Sequence, residues 1–88
     1  MNAIVEVQPY RATLSTDTLS KWNGVVRVWS EPTNILQGAK VVDEIKEPMP
    51  VTALEEQKDI FGALTQRVKI KYGKGREGWV IYEAIVLK

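Results

Sequence analysis

The segment Arg67-Val68-Lys69-Ile70-Lys71-Tyr72 constrains this chain more than any other. Apolar and basic side chains alternate through it without a break, which is the period of a strand with one face buried and one solvated. On a helix the same residues would be scattered round every side. The glycine-rich loop Gly73-Lys74-Gly75-Arg76-Glu77-Gly78 follows, and Trp79-Val80-Ile81-Tyr82 reads as the returning strand. The expected product is an antiparallel hairpin with Val68, Ile70 and Val80 in the core. An isolated hairpin is marginal in water, so further strands must come from the rest of the chain.

Such segments are present. Residues 3–7 are β-rich. Asn23-Gly24 is a turn signal, followed by the strand-like Val25-Val26-Arg27-Val28-Trp29, and Pro32 ends that run because it cannot donate to a ladder. Residues 40–46 carry Val41, Val42 and Ile45 in a slightly irregular strand pattern, and Glu47-Pro48-Met49-Pro50 is a break. Residues 8–23 contain Pro9, many Ser and Thr and few apolar residues, and are expected to be an excursion loop rather than a helix. Residues 52–65 admit two readings. Thr52-Ala53-Leu54-Glu55 matches a helix capping box, with Leu54, Ile60, Phe61 and Leu64 near helical spacing. The alternative is a strand from Val51, a polar loop over 55–59 and a second strand from Ile60; Gly62 and the short length weigh against the helix. Glu83-Ala84 fits a single 3₁₀ turn before a last strand at 85–87.

With 88 residues there is one domain and no second core. The expected architecture is all-β: a small barrel of five to six short antiparallel strands, with at most one short helix or a 3₁₀ turn. A closed barrel would leave few free sheet edges.

Composition narrows the chemistry. There is no cysteine and no histidine. Disulfides, thiolate sites and the commonest general base and metal ligand are thereby removed, and no nucleophile–base pair can be assembled from them. No enzyme, cofactor or metal site is expected. The net charge of +1 argues against a strongly electrostatic partner for the chain as a whole. No apolar run approaches the roughly 20 residues of a membrane span. The first residues, Met1-Asn2-Ala3-Ile4-Val5-Glu6-Val7, lack the features of a signal peptide, so a cytoplasmic or particle-associated location is expected unless the chain is cut from a longer secreted protein. The glycine loop is a turn and not a phosphate cradle, because it lacks Gly-Lys-Ser/Thr and leads into a strand.

The C-terminal third resembles the end of a bacterial SH3 domain. That family closes with an alternating strand, a short hairpin, Gly-Trp-Val, a 3₁₀ turn and a last strand, matched here by Val68 to Tyr72, the glycine loop, Gly78-Trp79-Val80 and the turn before Ile85. Val26-Arg27-Val28-Trp29-Ser30-Glu31-Pro32 looks like the family's early strand and Ser-x-Pro loop, and Gly38-Ala39-Lys40-Val41-Val42 like its Gly-x-x-Val segment. The resemblance covers Val25 to Leu87. Three features depart from the pattern: the long leader 1–24, the extended segment 55–66, and Val-Val-Arg where the family has Asn-Val-Arg.

The resemblance implies an SH3-like barrel that binds an extended protein segment or a cell-wall peptide in an aromatic-lined groove. Trp22 and Trp29, each flanking a loop, and Tyr82 are its candidate aromatics, with Glu31 and Asn34 as polar rim. Trp79 and Tyr72 are expected in the core, since large rings fill small barrels. A second reading makes the domain a building block of a larger assembly, such as a phage or prophage particle. A third makes it a nucleic-acid binder through Arg67, Lys69, Lys71, Lys74 and Arg76, five cations within ten residues and no acid among them. The plainer account of that stripe is a solvated strand face, with the acids of residues 43–59 able to pair with it.

Overall fold

The computed structural model describes residues 3–31, 39–58 and 64–87. Seven strands among them form one sheet: β1 (Ala3–Leu14), β2 (Val26–Trp29), β3 (Val41–Ile45), β4 (Met49–Lys58), β5 (Thr65–Tyr72), β6 (Arg76–Ile81) and β7 (Val86–Leu87). Every pairing is antiparallel, and the spatial order is β3-β2-β6-β5-β4-β1-β7. A helix α1 (Thr16–Lys21) separates β1 from β2, and a 3₁₀ turn (Tyr82–Ala84) separates β6 from β7. The chain is all-β; among the described residues there are one short helix, one 3₁₀ turn and seven strands, more strands than the five or six expected.

The β5–β6 hairpin forms in the register that the alternation requires. Val68 faces Val80 and Ile70 faces Gly78, and Val68, Ile70 and Val80 are fully buried. Its turn is tighter than the glycine count suggests. Gly73 (φ 58°) and Gly75 (φ 87°) take the left-handed conformations, so β6 already begins at Arg76 and Glu77 and Gly78 are strand residues. Of the two readings of residues 52–65, the hairpin is the one adopted: β4 pairs with β5 from Val51↔Tyr72 to Lys58↔Thr65. The expected loop at 55–59 is displaced, because Glu55 to Lys58 stay in the ladder; Ile60 and Phe61 lie outside the described residues.

The largest correction falls on residues 8–23. They are not an excursion loop. β1 continues to Leu14, with its register shifting between Glu6 and Tyr10 where Pro9 interrupts the ladder. Ser15 then caps α1, its Oγ accepting from the Thr18 amide at 3.2 Å. Asp17 in the first turn and Lys21 in the last suit the helix dipole, and Asn23 (φ 59°) and Gly24 (φ 85°) stop it. Buried Thr18 and Leu19 anchor this single amphipathic turn, which compensates for its low intrinsic propensity.

The edges β3 and β7 are not hydrogen-bonded to one another, so the sheet is open, yet it is strongly rolled. β3 and β4 are four places apart in the order, about 19 Å at 4.8 Å per strand. Only Lys46 to Pro48 separate Ile45 from Met49, and four steps of extended chain reach about 14 Å at most. The sheet must curve for that link to close. Its concave side holds one core drawn from β1 to β6, α1 and the 3₁₀ turn, including Leu14, Val28, Val51, Val68, Ile70, Tyr72 and Val80.

Tyr72 is in that core, as expected. Trp79 is only 5% exposed but does not belong to it. Val80 points inward, so its neighbour Trp79 stands on the opposite face of β6, directly across from Trp29 of β2.

Candidate functional site

Trp22 and Trp29 come together at one small pocket of about 240 Å³, lined also by Lys21, Val26, Arg27, Ile81 and Ala84. It is more enclosed than the wider surface depressions elsewhere on the molecule. Three elements build it. Trp22 sits at the C-terminus of α1, where its amide donates to the Thr18 and Leu19 carbonyls and the Gly24 amide returns to the Leu19 carbonyl at 2.7 Å. These bonds hold the indole beside the sheet, 37% exposed. Trp29 ends β2 on the face away from the core and is half-buried against its cross-strand partner Trp79. Ile81 and Ala84 bring the end of β6 and the 3₁₀ turn to the third wall.

Tyr82 and Glu31, also expected at the groove, are not at this pocket. Tyr82 leaves β6 into the 3₁₀ turn and lines a neighbouring depression with Leu64, Thr65, Arg67 and Glu83. Glu31 is exposed beyond β2 and lines neither. Asn34 lies outside the described residues.

Two of the five cations of the basic stripe are met by acids from adjacent strands. Lys69 Nζ lies 3.4 Å from Glu55 and 3.6 Å from Glu77. Arg76 contacts Asp43 at 3.0 Å, and Arg67 donates to Gln57 at 3.3 Å. Lys71 and Lys74 are exposed. The sheet register thus sets Lys69 and Arg76 against acids, while Lys71 and Lys74 face solvent.

Two carboxylate networks were not anticipated as such. Asp43 on β3 accepts from Tyr72 Oη at 2.7 Å, from Arg76 Nη1 at 3.0 Å and from the Glu44 amide at 2.8 Å. The bonds from Tyr72 and the Glu44 amide, with Arg76 adding its charge, hold the Asp43 carboxyl below its ordinary value. Burial and the bond to Asp43 push Tyr72 up to about 12. Glu56 on β4 is 8% exposed. It accepts from Tyr10 Oη, from Lys58 Nζ at 2.7 Å and from Thr65 Oγ1 at 3.2 Å. Burial alone would raise its pKa; the bonds from Lys58, Tyr10 and Thr65 outweigh that and leave it below the usual carboxylate range. Burial and the bond to Glu56 raise Tyr10 well above an ordinary phenol. The only early signal for either network was the acidic run of residues 43–59, whose partners depend on strand register.

Both are closed structural networks in which every carboxylate is matched by donors. Among the described residues no group of three or more acidic side chains converges as a metal site would require. No helix among them is long and apolar enough to cross a membrane. Comparison of the chain with protein-family models, with curated proteins and with solved structures finds no match, so the resemblance to bacterial SH3 domains rests on its residues alone.

Proposed function

We propose that this chain is a non-catalytic binding module of the SH3-like type, which takes an extended protein segment or cell-wall peptide at the Trp22–Trp29 pocket. The observation that carries the reading is the convergence of these two tryptophans, fifty residues or more from Ile81 and Ala84 in sequence, on one concave site with them. In SH3-like barrels the groove lies between the excursion after the first strand and the loops near the C-terminal strands; here α1 and β2 supply the first wall and the 3₁₀ turn the second. The alternating strand β5, the hairpin to β6 with Gly78-Trp79-Val80, the 3₁₀ turn and the short last strand β7 follow the order of the resemblance and support the reading. The pocket is smaller than the roughly 300–1,000 Å³ of cofactor sites, and so suits one or two side chains of a peptide.

The test is a titration of the ¹⁵N-labelled chain with a blocked proline-rich peptide and with a peptidoglycan stem peptide, following the indole N–H resonances. Trp22 and Trp29 should shift while the backbone amides of Val51 and Thr52, which do not line the pocket, serve as control. Trp22→Ala should stay folded, losing less than about 1 kcal/mol because its ring is part-exposed, while losing about 2 kcal/mol of binding as an anchor residue would. Collapse of the fold in both Trp22→Ala and Trp29→Ala would make the rings structural and end the proposal.

One observation favours a building-block role as a second reading. β7 pairs with β1 only at Ala12 and Thr13, so among the described residues the outer edge of β1 over residues 3–11 carries no strand, and Ile4 and Val5 are 52% and 41% exposed there. Sedimentation of the chain from micromolar to millimolar concentration tests it: self-association weakened by Val5→Lys supports it, and a monomer throughout refutes it.

A further inference from the structure

The pocket has a charge signature as well as a shape. Its two charged lining residues, Lys21 and Arg27, are both positive. The acids nearest to its walls in sequence, Glu31 and Glu83, do not line it. Among the described residues Arg27 has one acidic neighbour, Glu44 on β3, at 4.0 Å between side chains that are both substantially exposed; this is a loose surface pair that leaves the guanidinium donors available. Lys21, in the last turn of α1, is solvent-exposed. Lys69 on β5 and Arg76 on β6 are different, because acids hold them at 3.0–3.6 Å.

We infer that the ligand of this pocket is an acidic peptide segment: an aliphatic or prolyl side chain seated between Trp22 and Trp29, with a carboxylate beside it for Lys21 and Arg27. The inference rests on the binding reading above and adds the sign of the partner. The tryptophan faces supply apolar area at low entropic cost, and the two cations supply charge-assisted hydrogen bonds at the rim. A basic segment meets repulsion from both cations and finds no lining acid to offset it, so discrimination arises from rejection as well as attraction.

The experiment uses the whole chain and three blocked decapeptides built on one Leu-Pro core, flanked by Glu, by Gln or by Lys. Affinities are read from the Trp22 and Trp29 indole resonances at 20 and 200 mM NaCl. The Glu peptide should bind about five- to tenfold more tightly than the Gln peptide, and the Lys peptide more weakly than either. Added salt should narrow the gap, and the double variant Lys21→Gln/Arg27→Gln should close it, so that the Glu and Gln peptides bind that variant alike. Equal binding of the Glu and Gln peptides, or a preference that survives the double variant, overturns the charge assignment and leaves the pocket standing. Indole resonances that no peptide moves remove the pocket itself, and this inference with it.

Discussion

Gly78 is where β2 meets β6, and there is no free space for a side chain there. A Cβ at this position would overlap Val28 Cγ1 and stand 3.3 Å from the Trp29 carbonyl oxygen. Val28 is fully buried and β-branched, so it has neither space nor a spare rotamer to give. Gly78→Ala should therefore cost about 1–3 kcal/mol through overpacking. Val28→Ala should cost about 2–3 kcal/mol: two methyl groups at about 0.8 kcal/mol each, plus the cavity they leave. The double variant is the informative one. The new methyl at position 78 enters the space vacated by Val28, so the combined loss should fall short of the sum by about 1 kcal/mol or more. Urea unfolding followed by tryptophan fluorescence measures all four corners of this cycle with one slope. The whole stability of such a domain is about 4–13 kcal/mol, so each step is readable. Additive losses, or a Gly78→Ala variant within about 0.5 kcal/mol of the parent, would refute the close approach and with it the placement of β2 on β6.

Three further outcomes follow from the same geometry. Ile70→Ala, at a fully buried position on the central hairpin, should lose about 2–5 kcal/mol in urea unfolding; a loss below about 1 kcal/mol would mean that the basic face is the buried one. Tyr72→Phe keeps the ring and removes the 2.7 Å bond to Asp43, a bond to a charged acceptor, and should lose about 1.5–3 kcal/mol. Asp43 and Glu56 both have folded pKa values below the ordinary carboxylate range, so the stability they confer is complete above about pH 5 and is lost as the pH falls through their folded values. Glu56→Gln should flatten part of the decline in urea midpoint between pH 5 and pH 3, and an unchanged slope would remove Glu56 from the account.

The hairpin at the C-terminal end was legible because its signal is local. Alternation assigns Val68 and Ile70 to one face whatever the rest of the chain does, and Gly73 and Gly75 provide the conformations that the turn needs. The helix α1 was not legible from period, since six residues give less than two turns in which a period can show. Its signals lay only at its ends, where the reading of residues 8–23 as an excursion loop passed over them: Ser15 as cap, Asp17 and Lys21 at the charged termini, Asn23-Gly24 as stop. Trp79 shows a different limit. Its burial was foreseen from its size, but its face follows from Val80, and alternation along β6 excludes it from the core shared by that neighbour. The ion pairs of Lys69 were hidden for a related reason. Glu55 is brought to Lys69 by the β4–β5 register, which a loop at residues 55–59 would have abolished.

The pocket depends on how firmly the β2–β3 hairpin is tied to the rest of the sheet. The ladder between β2 and β6 holds a single residue pair, Trp29↔Trp79. Two other ties supplement it: Val28 against Gly78 on the core side, and Asp43 of β3 bonded to Tyr72 and Arg76. Val26, Arg27 and Trp29 form the β2 wall of the pocket, so all three ties hold that wall, although neither Tyr72 nor Gly78 lines it. Loosening them should raise the cost of ordering the site without touching any ligand contact. Peptide affinity in Tyr72→Phe should accordingly fall by severalfold even under conditions where the variant is fully folded. Ile70→Ala, which damages the core at β5 but breaks none of the three ties, should leave the affinity of its folded fraction close to that of the parent. If the two variants lose affinity alike, the pocket responds to stability in general, and the hairpin is not the element that shapes it.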